Sequence, residues 1–250
     1  MFKTRSLKLE RIDTGDYTPA EYARFLKEIA FINRHLGDRR ALKKTLLSDV
    51  AAAGLDRFTV LDVGAGSGYL LKTISKHAAR SGSKVFSVGL DLNEISARTI
   101  AADSADCDDI STVRGDALRL PFRDDAFDYA MCSLFTHHLN DQQIIAALRE
   151  MSRVSRRGIY VIDLHRHPAA YVLYKVFCFV FRISPLVRED GLLSVLRAFT
   201  PEEFRSFSDT AGFGSGKVER VAPFRITLTA SKRRKPTKHR SWFGGETDWT

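Results

Sequence analysis

The chain has 250 residues, enough to bury a large core within one sizeable domain. Hydrophobic residues make up 44% and charged residues 28% of the sequence, so the composition excludes global disorder and collagen-like or low-complexity proteins. The net charge is +9, of which +4 falls within residues 231–250. The remainder is only mildly basic, so nucleic-acid binding is not indicated on the folded part.

The N-terminal region predicts a helical cap over residues 1–54. Thr18 is a good N-cap before Pro19 and Glu21, and apolar residues then recur at helical spacing until Gly37. A second helix is predicted over about 39–53. The first residues have no apolar segment of signal-peptide length, and three distant cysteines form neither a disulfide framework nor a zinc pattern. We therefore expect a cytoplasmic protein.

From residue 58 onward, short apolar runs alternate with helical stretches. Strand, helix, strand at this rhythm predicts an α/β fold, a Rossmann-like doubly wound and mostly parallel sheet. The predicted strands are FTVLDV, KVFSVGLD, ISTVRG, AFDYAMCS and RGIYVIDL, with helices near 67–80, 94–104 and 141–153.

An apolar helical insertion is predicted after the fifth strand, over about 166–199. Its longest apolar run, residues 169–187, contains Lys175 and Arg182 and does not fit a transmembrane helix. Two interpretations remain open. The run is a helix buried in the domain or under a lid, or it is a surface that meets a lipophilic substrate, a partner subunit or a membrane face.

The C-terminal part predicts one more helix and two paired strands. Thr200 precedes Pro201 as an N-cap, and Gly212 ends that helix. The runs GKVERVAP and FRITLTASK follow without a helix between them, so we expect them to pair antiparallel. The α/β domain thus spans 55–231, followed by a basic tail, 232–250, which we predict to be mobile.

The motif VLDVGAGSGYL, residues 60–70, predicts a strand, then a glycine loop and the start of a helix. Gly64, Gly66 and Gly68 permit a sharp turn and close approach of a ligand to the backbone. Dinucleotide enzymes use a similar loop, and a tight turn without a ligand is the simpler alternative.

Three acidic residues stand at the ends of the predicted strands. Asp62 precedes the glycine loop, where it can meet a cationic amine. Asp91 ends the second strand, where a carboxylate can accept both hydroxyls of a ribose. Asp116 follows the third strand and can contact an adenine amino group. A dinucleotide site would also use the ribose acid, so Asp91 alone does not decide between the ligands.

In this arrangement the sequence resembles class I S-adenosylmethionine-dependent methyltransferases. VLDVGAGSGY corresponds to the first motif of that family, VGLDLN to its ribose motif, and GDALRLPFRDDAFDYAMCS to its adenine and fourth-strand segment. The resemblance covers residues 58–164 and implies S-adenosylmethionine as cofactor and a seven-stranded sheet whose last strand is antiparallel.

The resemblance also implies roles for individual residues. Asp62 approaches the methionine amine, and the loop from Gly64 through Gly66 to Gly68 faces the carboxylate and the backbone side. The other expected contacts are Ser67 with the methionine part, Asp91 and Leu92 with the ribose, Asp116 and Ala117 with the adenine, and Ser133 beside the sulfonium.

The segment LPFRDDAFDYAMCSLFTHHLND is most similar to the small-molecule branch that includes ubiquinone and menaquinone methyltransferases. The two ends of the chain are similar to bacterial methyltransferases of polyketide and other lipophilic aromatic pathways. These similarities imply a small lipophilic, aromatic acceptor rather than a nucleic acid.

Histidines follow two of the strands at the edge where ligands bind in open α/β sheets. We take His137 and His138 as candidate bases for a phenolic acceptor and place His137 first, the alternative being a histidine that only packs in the turn. His165 and His167 have a spacing that invites a metal, but a third ligand is missing at suitable spacing, and we expect no metal.

The sequence therefore predicts methyl transfer to a small lipophilic acceptor, with O-methylation of a phenolic, quinone-like or polyketide compound first. C-methylation of an activated ring, RNA methylation using the basic tail, and a catalytically inactive binding protein are the alternatives. The tail, with Trp242, Phe243 and Trp249, is also a candidate for peripheral contact with anionic lipid. The oligomeric state is left open.

Overall fold

A computed structural model describes residues 2–232 of the chain. Seven strands form one sheet in the order β3-β2-β1-β4-β5-β7-β6. The first five are parallel, and β7 runs antiparallel to both β5 and β6. The predicted α/β sheet and its antiparallel last strand are confirmed. The strands are β1 Arg57–Val63, β2 Lys84–Asp91, β3 Ile110–Arg114, β4 Phe127–Ser133, β5 Ser155–Leu164, β6 Lys217–Val221 and β7 Arg225–Ser231.

Helices cover both faces of the sheet and the edge at which the parallel strands end. Two hydrophobic clusters pack on the sheet, one around Leu61, Leu148 and Phe204 and the other around Leu42, Val60 and Ile74. The helices are α1 Arg11–Thr14, α2 Pro19–His35, α3 Asp38–Lys44, α4 Leu46–Ala53, α5 Tyr69–Arg80, α6 Glu94–Asp103, α7 Asp141–Val154, α8 Pro168–Val180, α9 Pro185–Arg197 and α10 Pro201–Ala211.

The predicted N-caps form as reciprocal capping boxes. The Thr18 hydroxyl accepts a hydrogen bond from the Glu21 amide at 3.2 Å, and the Glu21 carboxylate accepts one from the Thr18 amide at 2.8 Å. Thr200 and Glu203 form the same pair at the start of α10. These bonds satisfy amides that a helix start leaves without partners, so the starts of α2 and α10 are fixed locally.

The second N-terminal helix differs from the prediction of one helix over about 39–53. It divides at Thr45, whose φ is −114° and ψ −104°. The Thr45 hydroxyl donates to the Ala41 carbonyl at 2.8 Å. The Thr45 amide keeps its helical bond to the same carbonyl at 3.0 Å. A hydroxyl that also bonds the carbonyl four residues back destabilises a helix and bends it, in keeping with the break at this position. Both halves pack on the sheet, whereas α2 packs against α6 and α9.

The insertion after β5 forms α8 and α9 rather than one helix through residues 169–187. The chain turns at Arg182, which has a φ of 51°, and α9 begins after Ser184. Together with α2, these helices form a third cluster above the ends of the strands, including Phe25, Tyr174 and Leu186. Within residues 2–232, no helix combines the length and apolar character needed to cross a membrane.

Lys232 is the last residue described. Its amide donates to the Arg157 carbonyl at 2.7 Å, and its ammonium pairs with Asp125 at 2.8 Å. The predictions of a mobile tail and of lipid contact through Trp242, Phe243 and Trp249 concern residues 233–250 and lie outside the described residues.

Candidate active site

One cavity of about 1430 Å³ lies at the carboxyl edge of the parallel strands. The sheet forms its floor. The upper part is enclosed by α2, α8, α9 and residues 2–17, which we call the N-terminal segment. Most of the candidate residues chosen from the sequence line it: Asp62, Gly64, Gly66, Ser67, Asp91, Leu92, Asp116, Ala117, Ser133, His137 and His138. Gly68 lies just behind this lining and is the N-cap residue of α5.

The glycine loop between β1 and α5 needs its glycines for two different reasons. Gly64, Gly66 and Gly68 have φ values of 69°, 55° and 67°, a region that disfavours other residues. A Cβ on Gly64 would lie 2.5 Å from Cδ2 of Phe135, whereas one on Gly66 would meet no atom within 4 Å. The amide of Gly66 donates to Oδ2 of Asp91 at 2.8 Å, which joins the loop to the end of β2.

Asp62, in β1, is a buried carboxyl group with a vacant acceptor. The residue is 2% exposed, and its Oδ1 atom has no hydrogen-bond partner among the described residues. Burial, with a smaller contribution from the charge of Asp91, raises the pKa of Asp62 to about 8. A carboxyl group in this environment is stabilised by a cation brought to it, because the cation restores its charged form.

The remaining candidates for cofactor binding surround the same space. Asp91 accepts from the Asn93 amide at 2.9 Å, which orients its carboxylate at the end of β2. Leu92 is 65% exposed beside it. On the neighbouring loop, Asp116 is exposed and Ala117 is buried. Ser133 ends β4, and its buried hydroxyl has no partner among the described residues.

Unpartnered polar atoms are concentrated in this cavity. Seven buried side-chain nitrogen or oxygen atoms in the described part of the chain have no hydrogen-bond partner. Five of them belong to residues that line the cavity: Glu10, Asn33, Asp62, Tyr69 and Ser133. Because buried polar groups normally find partners, their concentration indicates a polar ligand site. An amino-acid and nucleoside ligand such as S-adenosylmethionine fits this set, since it offers an amine, hydroxyls and a charged centre.

His137 is oriented by the carboxylate of Asp163, which was not among the candidate residues from the sequence. Its Nδ1 atom lies 2.6 Å from Oδ1 of Asp163, in β5, and its amide donates to Oδ2 of Asp163 at 3.2 Å. The Thr136 hydroxyl donates to the same oxygen. Burial would raise the pKa of Asp163, but the imidazole and these hydrogen bonds outweigh it and hold the pKa at about 2. Asp163 therefore stays ionised and fixes the imidazole with Nε2 pointing away from it.

The Nε2 atom of His137 lies 3.9 Å from Oε1 of Glu10, which reaches the site from the N-terminal segment. Glu10 is 1% exposed, and burial is the main reason that its pKa is raised to about 7. His138 is less buried, and its Nδ1 atom lies 2.8 Å from Oδ1 of Asp13. The guanidinium of Arg197 joins the group by donating to the carbonyls of His137 and His138 at 2.9 and 2.7 Å.

Among the described residues, Glu10, His137 and His138 also bring potential metal-ligating atoms within 4.8 Å of one another. No metal was expected from the sequence, and Glu10 was not among the candidate residues. Arg197 places Nε 3.7 Å from Oε1 of Glu10, and its positive charge disfavours a second cation at the same carboxylate. We therefore describe the group as an acid–base cluster.

His165 and His167, the competing pair, lie outside the cavity lining. The Nδ1 atom of His167 accepts from the Ala169 amide at 3.1 Å and thereby caps α8. The ring of His167 stacks on Phe224 with centroids 5.6 Å apart. Burial lowers the pKa of His165. These contacts assign a local structural role to the pair.

The upper part of the cavity is mainly apolar. Its lining includes Phe25, Leu26 and Ile29 of α2 and Leu173, Val176 and Phe177 of α8. Such a chamber above a polar floor suits a ligand with an extended apolar part.

Sequence reasoning missed Glu10, Asp13, Asp163 and Arg197. Asp163 had a visible signal, since it is an acidic residue inside the apolar run RGIYVIDL. Glu10 and Asp13 had none, because they lie in a polar N-terminal segment, and only the tertiary fold brings them to His137 and His138.

Comparison with known proteins agrees with this geometry. Residues 60–158 match a family model described as a methyltransferase domain. The chain is 35% identical to a demethylmenaquinone methyltransferase of Mycobacterium bovis over 48% of this chain and 53% of that protein. It thus spans about half the length of the curated relatives it matches.

Solved structures share the fold at low sequence identity. A methyltransferase from Aquifex aeolicus, described as dependent on S-adenosylmethionine, is 18% identical, with a TM-score of 0.55 over 86% of this chain and 98% of that chain. Human N-acetylserotonin methyltransferase, solved with S-adenosylmethionine, is also 18% identical, with a TM-score of 0.61 over 86% of this chain and 56% of that chain.

Proposed function

We propose that this chain, which contains a class I S-adenosylmethionine-dependent methyltransferase domain, is a cytoplasmic enzyme that methylates a small lipophilic acceptor. O-methylation of a phenolic, quinone-like or polyketide compound is the reaction we favour, and C-methylation of an activated ring is the alternative. The observation that carries the proposal is the two-part cavity. Unpartnered buried polar atoms of Asp62, Tyr69 and Ser133 lie at its floor, and apolar side chains of α2 and α8 line its upper part.

The floor residues would hold the methyl donor, whose sulfonium supplies an electrophilic methyl group. Asp62 offers its vacant buried oxygen to the amine, and Asp91 offers its oriented carboxylate to the ribose hydroxyls. The loop at Gly66 gives the ligand access to the backbone because no side chain fills that space. Correct positioning of the two reactants can lower the barrier of such a reaction by about 7–11 kcal/mol.

His137 is the base that the geometry favours for a phenolic acceptor. Asp163 holds Nδ1, so the Nε2 lone pair is directed away from the β5 carboxylate and can accept the phenol proton. Once protonated, the imidazole lies between the Asp163 carboxylate and Glu10, and both stabilise its positive charge when ionised. For C-methylation the same base would remove the ring proton after transfer.

Two further observations bear on the acceptor. The relatives are named for demethylmenaquinone, which favours a quinone-related compound. An RNA acceptor is the rival. A nucleotide would have to be held inside the chamber by polar contacts, whereas Leu173, Val176 and Phe177 give this part of the lining an apolar character that favours a lipophilic compound.

The test is methyl transfer from labelled S-adenosylmethionine to a panel of phenols, hydroquinones, alkylresorcinols and tRNA. We expect label in a lipophilic compound and none in tRNA. His137→Ala should lower turnover by about 10²-fold to 10⁴-fold without changing the affinity for S-adenosylhomocysteine. His167→Ala, outside the cavity, is the matched control. Label in tRNA alone, or tight NAD binding without S-adenosylhomocysteine binding, would refute the proposal.

A further inference from the structure

Helix α8 carries an exposed apolar face on the outside of the molecule. Its members are 51% to 84% exposed, with Phe179 at the upper limit. Large apolar side chains at such exposure are unusual when they are contiguous. We call this set the α8 face, and it comprises Val172, Leu173, Val176, Phe179, Val180 and the adjoining Phe181.

The helical period places these side chains together. Val172, Val176 and Val180 are four residues apart and therefore line one stripe, with Phe179 beside it. The opposite side of α8 holds Ala170, Tyr174 and Cys178, all of which are buried, the last two in the cluster with α2 and α9. The helix is thus apolar on both sides, and only one side is covered within the described residues.

The α8 face continues into the active-site cavity. Leu173, Val176, Val180 and Phe181 are exposed and also line the cavity. From the end of α2, Phe31 extends the surface, since its ring centroid lies 5.4 Å from that of Phe181. An apolar molecule can therefore reach the upper chamber along a continuous apolar surface.

The charges around the α8 face are mainly basic. The acidic group beside it is Glu28 of α2, whose carboxylate accepts from the Ser184 amide at 3.0 Å and pairs with Arg24. Residues 164–188 contain no Asp or Glu. Lys175 and Arg182 lie within this stretch and are exposed next to the apolar side chains, and Lys27 and Arg34 are exposed on the neighbouring α2. An apolar face flanked by basic side chains is the pattern of helices that lie in the interface of an anionic membrane.

We propose that the α8 face docks on the surface of an anionic lipid bilayer, with Phe179 and Phe181 inserted among the acyl chains and Lys175 and Arg182 at the phosphates. The docked orientation would place the cavity mouth at the bilayer, from which a lipophilic acceptor can enter. This role in delivering the acceptor rests on the proposed function. The docking itself does not, because it requires neither methyl donor nor acceptor.

The first experiment measures co-sedimentation of the full chain with vesicles of phosphatidylcholine containing about a third phosphatidylglycerol, and with phosphatidylcholine vesicles alone. We expect binding to the anionic vesicles that weakens as salt is raised and is much weaker on the neutral ones. No binding to either vesicle, or equal binding to both, would overturn the proposal.

Matched variants then locate the binding surface. Phe179→Ser should weaken vesicle binding by about tenfold or more, and Lys175→Gln by about fivefold. Phe86→Ser and Lys84→Gln are the controls, because both residues are exposed at the amino end of β2, the sheet edge opposite the cavity. If the α8 variants and the β2 control variants lose vesicle binding equally, the α8 face is not the docking surface.

Sedimentation velocity without lipid tests the alternative that a second copy of the chain covers the α8 face. We expect the same sedimentation coefficient for the unmodified chain and for Phe179→Ser. A dimer that Phe179→Ser dissociates would overturn lipid docking in favour of self-association.

Failure of docking and failure of the proposed function have different readouts. Methyl transfer to a water-soluble phenol without vesicles tests the reaction alone, and we expect Phe179→Ser to leave it unchanged. Vesicle binding without methyl donor tests docking alone. Transfer without vesicle binding would refute only the docking, and vesicle binding without transfer would refute only the enzymatic function.

Discussion

Replacement of Asp62 by Asn should change how the stability of the protein depends on pH. The pKa of Asp62 is raised from 3.8 to about 8, so between these values the folded chain keeps a proton that the unfolded chain has released. The unfolding free energy of the unmodified protein then falls as pH rises, by about 1.4 kcal/mol per pH unit from this group. Asp62→Asn cannot release that proton, so its stability should exceed that of the unmodified protein increasingly toward pH 8.

Urea denaturation at about pH 5, 6 and 7 measures this difference, which should grow by about 3 kcal/mol across the series. An unpaired amide at position 62 can cost about 1–3 kcal/mol, but that cost is the same at every pH. The change in the stability difference with pH, and not its absolute size, therefore tests the raised pKa of Asp62. Ser133→Ala, which removes an unpartnered buried hydroxyl that does not titrate from the same cavity, is the control and should leave the slope unchanged. Parallel curves for Asp62→Asn and the unmodified protein would refute the reasoning.

Three further substitutions test the site. Gly64→Ala should lower the unfolding free energy by more than about 2 kcal/mol, because a clash with Phe135 is added to the strain of a φ of 69°. Gly54→Ala, with open space around the new Cβ, should lose only the part due to backbone strain. Equal losses of unfolding free energy by urea denaturation would contradict the steric argument. Asp163→Asn should lower kcat by about tenfold or more, because His137 loses its orienting carboxylate. The affinity for S-adenosylhomocysteine, measured by calorimetry, should stay within about twofold. An unchanged kcat would exclude this role of Asp163. Burial raises the pKa of Glu10 to about 7, so the pH profile of kcat/KM should have an inflection near pH 7, with higher activity on the alkaline side where Glu10 is ionised. Glu10→Gln should remove this inflection, and its persistence in the variant would assign it to another group.

The sheet and its polar floor could be predicted because their signals are local. The loop at Gly64 and Gly66 follows directly from the strand that positions it, and Asp91 ends the next strand. The capping boxes at Thr18 and Thr200 each use side chains three residues apart. Short-range signals of this kind are present in any window of the sequence, so they need no knowledge of the tertiary fold.

The acid–base cluster could not be predicted in the same way. Glu10 and His137 are separated by 127 positions in the sequence, and nothing near either residue indicates the other. The apolar run after β5 has a related difficulty, because hydrophobicity alone does not show whether a side is covered. Tyr174 and Phe179 are similar in the pattern, yet one is buried and the other is 84% exposed.

The N-terminal segment ahead of α1 has a consequence for local stability. Hydrogen bonds from three arginines hold it: Arg166 donates to the Phe2 carbonyl, Arg5 to the Leu139 carbonyl and Arg197 to the Lys8 carbonyl. Leu7 and Leu9 are 88% and 56% exposed, so this part buries little apolar surface of its own. Segments held in this way open at lower free energy than the core of a protein, and amide hydrogen exchange there is correspondingly fast. Each opening would withdraw Glu10 from His137 and admit water to the imidazole, while Asp62 and Asp91 remain in place on the sheet.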